Sequence, residues 1–146
     1  MTATIAGACV AAALLLGGCA SGSTKTFEAS SATIPVSRFK TIGTLAASVA
    51  GTGIRLMVQV REQLQKAGVN AVPVRGRFST VADAVAQLCA AGADQPLDAV
   101  LSVAYNDLVL YDCETQKPAY QIHSGSLGLP ELTNRLAHYL TAKRGS

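Results

Sequence analysis

The stretch from Leu97 to Glu114, LDAVLSVAYNDLVLYDCE, constrains the fold of this chain more than any other part of it. Val, Leu, Ala and Tyr dominate, and the polar pair Asn106-Asp107 interrupts them near the middle. The pattern predicts strands near 99–105 and 108–114 joined by a two-residue turn at Asn106-Asp107, or a bent strand that contains the pair. Two strands alone are marginal in water, so the rest of the chain must supply partners and cover.

The remaining segments do so in alternation. RFKTIGTLA, Arg38 to Ala46, reads as a first strand, and SVAGTG as a loop after it. From Ile54 to Ala67, Met57, Val60, Leu64 and Ala67 recur at helical spacing opposite Arg55, Glu62 and Lys66, with Gly68 as the stop. NAVPVRG predicts a short strand that Pro73 pushes toward a sheet edge. Thr80 and Asp83 resemble a capping box, followed by a face of Val81, Val85, Leu88 and Cys89, with Gly92 as the terminator. TQKP is a turn and AYQIHS a further strand. Pro130 opens a last helix with Leu132, Leu136, Tyr139 and Leu140 turned inward. The order β-α-β-α-β-β-β-α predicts an α/β fold: a single small mixed sheet, parallel at the start and extended by an antiparallel meander, with helices packed on it.

Composition narrows the function classes. The 146 residues leave room for one domain, and 49% hydrophobic against 14% charged residues excludes a disordered chain. The net charge is only +3, and Lys and Arg are scattered without interleaved aromatics, which argues against a nucleic-acid surface.

The amino-terminal segment has its own logic. Ile5 to Leu16 is uncharged and apolar. As a helix it spans roughly 18 Å, short of the roughly 30 Å of a bilayer core, so it suits the h-region of a secretory signal. Leu16-Gly17-Gly18-Cys19 follows directly and resembles the lipobox of bacterial lipoproteins. That resemblance implies a diacylglycerol on the Cys19 thiol and cleavage before Cys19 by a dedicated signal peptidase. It departs from the pattern in one respect, since MTATIAGAC carries no Lys or Arg. Ala20, in place of the Asp associated with inner-membrane retention, implies the periplasmic face of the outer membrane. A plain secretory signal ending near Ser23, leaving a soluble periplasmic domain, is the competing expectation. Residues 1–18 are thus expected to be the signal peptide and 19–37, rich in Ser, Thr and Ala, a lipidated tether. Residues 38–146 are expected to form the periplasmic α/β domain. In plan this body resembles the small α/β domains of envelope assembly lipoproteins, such as the curli-secretion lipoprotein and the amino-terminal domain of TolB-type proteins.

Few residues suggest chemistry. Cys89 and Cys113 form an even pair that an oxidising periplasm would bridge, adding about 3 kcal/mol; two buried free thiols are the alternative. His123 and His138 share no ligand spacing with each other or with cysteine, so no metal is expected. Asp107, Asp112 and Glu114 cluster without a calcium-loop pattern. Gly51-Thr52-Gly53 precedes a helix but lacks the fuller phosphate-binding fingerprint. No nucleophile-and-base constellation and no cofactor motif is present. The expected function is a non-catalytic, lipid-anchored binding or assembly module that contacts an envelope protein or a second copy of itself. The alternative is an enzyme or small-ligand binder with a site near Gly51–Gly53 and Asp112/Glu114.

Overall fold

The computed structural model describes residues 23–48 and 51–142. Cys19 and the lipobox and signal segment expected from sequence lie outside these residues. In chain order the elements are β1 (Thr24–Glu28), a 3-10 turn (Val36–Arg38), β2 (Ile42–Ala46), α1 (Gly51–Lys66), β3 (Ala71–Pro73), α2 (Val81–Leu88), β4 (Ala99–Ala104), β5 (Asp107–Asp112), β6 (Pro118–Ser124) and α3 (Leu129–Ala142). They build the expected α/β fold on a single mixed sheet of order β1-β6-β5-β4-β2-β3. Strand β2 runs parallel to β3 and β4, and β4, β5, β6 and β1 form an antiparallel meander. Among the described residues no helix is long and apolar enough to cross a membrane.

Local chemistry explains the boundaries. At the end of α1, Gly68 adopts φ +88°, its N–H donates to the Gln65 carbonyl, and the Val69 N–H donates to the Leu64 carbonyl. This paired closure satisfies two orphan carbonyls and seats Val69 beside Leu64 in the core. At the start of α2 the Thr80 hydroxyl accepts from the Asp83 N–H at 3.0 Å. Pro73 ends β3, which lies at the sheet edge, where a missing N–H does least harm.

Crossovers that run in opposite directions place helices on opposite faces. The chain leaves β2 through α1 to reach β3 on one side. It then leaves β3 through α2 to reach β4 on the other side of β2. Right-handed connections therefore put α1 and α2 on different faces. One face is sealed by α1 and α3: Val60, Leu64, Leu132, Leu136 and Leu140 pack on Ile42, Leu101, Leu108, Leu110 and Ile122. The other is only partly covered. Ala84, Val85 and Leu88 of α2 pack on Val100, with Leu45, Leu97 and Tyr111 around them.

Three differences from the sequence reading stand out. Residues 24–28, assigned to the tether, form the edge strand β1, in register with β6 from Thr24↔Ser124 to Glu28↔Tyr120. The hairpin turn is Tyr105-Asn106 rather than Asn106-Asp107, because Ala104 pairs with Asp107. Ala67 is exposed, since the closure at Gly68 turns the chain away before another turn of helix can form.

Candidate functional site

The two halves of the sequence-predicted site are separated by the sheet. Gly51 to Gly53 begin α1, just past the carboxyl end of β2. Asp112 pairs with Ala99, the first residue of β4, and Ala99 pairs with Ile42, the first residue of β2. The glycines and the carboxylates thus lie at opposite ends of strands about 13 Å long. No composite site near Gly51–Gly53 and Asp112/Glu114 exists, and that expectation is corrected.

Each half has a structural occupation. A Cβ on Gly53 would stand 2.6 Å from the Ser48 carbonyl oxygen, so glycine is required for the close return of α1 against the end of β2. Asp112 is fully buried. Its carboxylate accepts from Arg38 Nε at 2.9 Å, Arg38 Nη2 at 3.0 Å and the Thr115 N–H at 2.8 Å. Arg38 also donates to Glu114 through Nη1. The guanidinium grips Asp112 with two parallel N–H groups and Glu114 with a third, one cation shared between two carboxylates, and so ties the 3-10 turn to the β5–β6 turn. Arg38, read from sequence only as the start of a strand, is the missing member of this group. Its partners lie 74 and 76 positions away, beyond any local pattern.

The carboxyl end of the parallel strands holds a crevice of about 880 Å³. It opens where the connections after β2 and β3 diverge to opposite faces, the usual position of a ligand crevice in α/β sheets. Leu45, Ile54, Met57, Val74 and Phe78 give it an apolar lining, and Arg77 is the only charged residue among the lining groups. Its hydroxyls are already engaged: Thr44 donates to the Val72 carbonyl at 3.2 Å, and Thr80 caps α2. Such a crevice can hold an apolar group but offers no acid–base pair.

No protein-family model and no curated protein matches this chain. Among solved structures it is similar to the PelC dodecamer from Paraburkholderia phytofirmans, at 13% identity and a TM-score of 0.47, covering 84% of this chain and 96% of that one. A point variant of the same dodecamer gives 10% identity and a TM-score of 0.44, with the same coverage. Likeness at this level carries no functional weight.

The histidines lie apart. His123 sits on the open sheet face, with Nδ1 3.7 Å from Asp107 Oδ1. His138 borders a groove of about 560 Å³ between β1 and α3, with Glu28, Tyr120, Glu131, Arg135 and Tyr139. Tyr120 and Tyr139 stack there at 4.5 Å. Burial, then the nearby Glu28 carboxylate, pushes both phenols up to about 12, so neither supplies a phenolate near neutral pH. Among the described residues no cluster of three His, Cys, Asp or Glu is placed to hold a metal. Cys89 and Cys113 are joined as a disulfide with Cα atoms 4.8 Å apart, linking the end of α2 to the strand turn after β5.

The half of the second face that α2 leaves uncovered is mostly polar and carries one exposed aromatic residue, Phe27. Register places Lys25 and Phe27 of β1, Gln121 and His123 of β6, and Asp107 and Val109 of β5 on this face. Phe27 is 50% exposed. Beside it an apolar hollow of about 540 Å³ is bordered by Ala29, Ile34, Pro118 and the stem of Lys117. Sequence reading passed over Phe27 because TKTFE carries a single large apolar residue. The available signal was the β-branched pair Thr24 and Thr26 followed by an aromatic residue.

Proposed function

We propose that this chain is a non-catalytic binding or assembly module of the bacterial cell envelope, anchored at the periplasmic face of the outer membrane by lipidated Cys19. The observation that carries the binding reading is Phe27 on the terminal strand β1, half exposed beside an apolar hollow. Aromatic residues next to preformed pockets are the usual anchors of protein interfaces. Strand β1 pairs with β6 on one side. Its outer edge can accept a further strand from an envelope protein or a second copy, with Phe27 supplying side-chain contact. The lipobox and the Cys89–Cys113 bridge support an extracytoplasmic, membrane-anchored setting. Two or more acyl chains, at about 0.8 kcal/mol per buried CH₂, make such an anchor stable.

Two measurements test the reading. Palmitate labels wild type and not Cys19→Ser in the native host; equal labelling of both removes the anchor. A photo-crosslinking side chain at Phe27 in intact envelopes captures a discrete protein adduct, while the same group at Lys66, exposed at the end of α1 and away from the hollow, gives less. Recovery of uncrosslinked monomer from both positions removes the binding role. A second reading, a binder of a small apolar ligand, rests on the crevice below Phe78. Its mark is a saturable rise in Tm with a fatty acid that Phe78→Ala abolishes.

A further inference from the structure

The path of the chain next to Cys19 limits how the domain can stand on a membrane. Only four residues separate Cys19 from Thr24, the first residue of β1. Five Cα–Cα steps at no more than about 3.6 Å each confine the Cys19 Cα to within about 18 Å of Thr24. The tether expected from sequence ran on to residue 37, but β1 takes up residues 24–28 of it. Thr24 is locked into the sheet through its register with Ser124, and its hydroxyl lies 2.9 Å from the Ser124 hydroxyl.

All the surrounding geometry at Thr24 belongs to one end of the sheet. Strand β6 finishes there at Ser124, whose N–H donates to the Asn106 carbonyl at 3.1 Å. Strand β4 therefore also ends there, at the Tyr105-Asn106 turn, and β2 ends alongside it through Ala46↔Val103. Three large hydrophobic residues are exposed among the described residues, and two of them mark this end. Tyr105 is 77% exposed at the tip of the turn, and Ile54 is 45% exposed in the first turn of α1. Three strand spacings of about 4.8 Å separate β1 from β4, so Tyr105 lies roughly 14 Å sideways from Thr24. That is within the footprint of a domain moored by so short a lead.

We propose that this end of the sheet rests on the lipid headgroups, with Tyr105 as the interfacial contact and Ile54 beside it. The inference rests on the lipidated Cys19 reading and adds an orientation to it. Tyrosine suits this position because its ring is apolar and its hydroxyl remains in the headgroup water. The charges at this end are mixed, with Lys25, Arg55 and Arg77 set against Asp83, Asp107 and Glu131. The contact is therefore with the interface itself rather than with an acidic lipid. In this stance the strands point away from the membrane. The outer edge of β1 and Phe27 then stand clear for a partner, and the Arg38–Asp112–Glu114 cluster sits at the distal end.

The chain has no tryptophan, so one introduced indole is a clean depth probe. Full-length Tyr105→Trp, Phe27→Trp and Lys117→Trp are purified from host membranes and reconstituted into phosphatidylcholine vesicles with brominated acyl chains. The expected result is loss of emission from the probe at 105, none at 117, and little at 27. The same samples are weighed intact, which reads lipidation separately. A lipidated protein whose probe at 105 keeps full emission overturns the orientation alone. Quenching at 27 without quenching at 105 also overturns it, in favour of a domain lying on its open face. A protein weighing as unlipidated overturns the anchor, and the orientation with it.

Discussion

Replacing Arg38 tests whether the fold depends on the cluster that joins the 3-10 turn to the β5–β6 turn. In Arg38→Met the stem remains, but Asp112 loses its donors at 2.9 and 3.0 Å and keeps the Thr115 N–H. Removing one partner of a fully buried pair costs about 3–5 kcal/mol. Asp112 is fully buried, whereas the Arg38 side chain is 29% exposed, so water reaches part of the gap and the cost falls just below that range. We expect a loss of about 2.5 kcal/mol, a large share of the 5–15 kcal/mol of a typical domain. With roughly 120 residues in the described domain at about 2.1 cal/mol/K each, that loss lowers Tm by about 10 °C. The assay is a double-mutant cycle with Asp112→Asn, read by thermal and urea unfolding. Asp112→Asn alone faces its amide toward the guanidinium and is also destabilising. The double variant should lose at least about 1 kcal/mol less than the sum of the singles, because neither then strands a buried charge. A loss below about 0.5 kcal/mol for Arg38→Met, or additive singles, would refute the reasoning.

Three further outcomes follow from particular contacts. Reducing the Cys89–Cys113 bridge, which closes a separation of 24 residues, should lower stability by about 3 kcal/mol, seen as a reductant-dependent fall in the urea midpoint. Gly68→Ala meets no atom within 4 Å of its new Cβ, so its expected penalty of about 1 kcal/mol is backbone strain at φ +88°, and Gly68→Asn should lose less. Tyr120 and Tyr139 titrate at about 12 when folded and near 10.0 when unfolded. The folded state holds these protons longer, so stability is unaffected below pH 10 and declines from pH 10 to 12 as the unfolded chain ionises first. Tyr139→Phe should flatten that decline in alkaline unfolding curves, and an unchanged slope would count against the burial argument.

What the sequence by itself determined is local. The helix of Val60 and Leu64, its stop at Gly68, the cap at Thr80 and the edge position of Pro73 each depend on residues a few positions apart. Periods of two and 3.6 and the conformational limits of glycine and proline are written within such windows. Only the tertiary structure decided what depends on pairing across the chain. TKTFE becomes a strand because β6 offers it an unpaired edge, not because of its own hydrophobicity. Asp112 and Glu114 are salt-bridged supports rather than a site because Arg38 arrives from 74 residues earlier. Gly53 and Asp112 are parted because β5, which ends at Asp112, runs opposite to β2, whose end leads into α1 and Gly53. Register is a property of the assembled sheet, where burial of whole faces outweighs any single segment's preference.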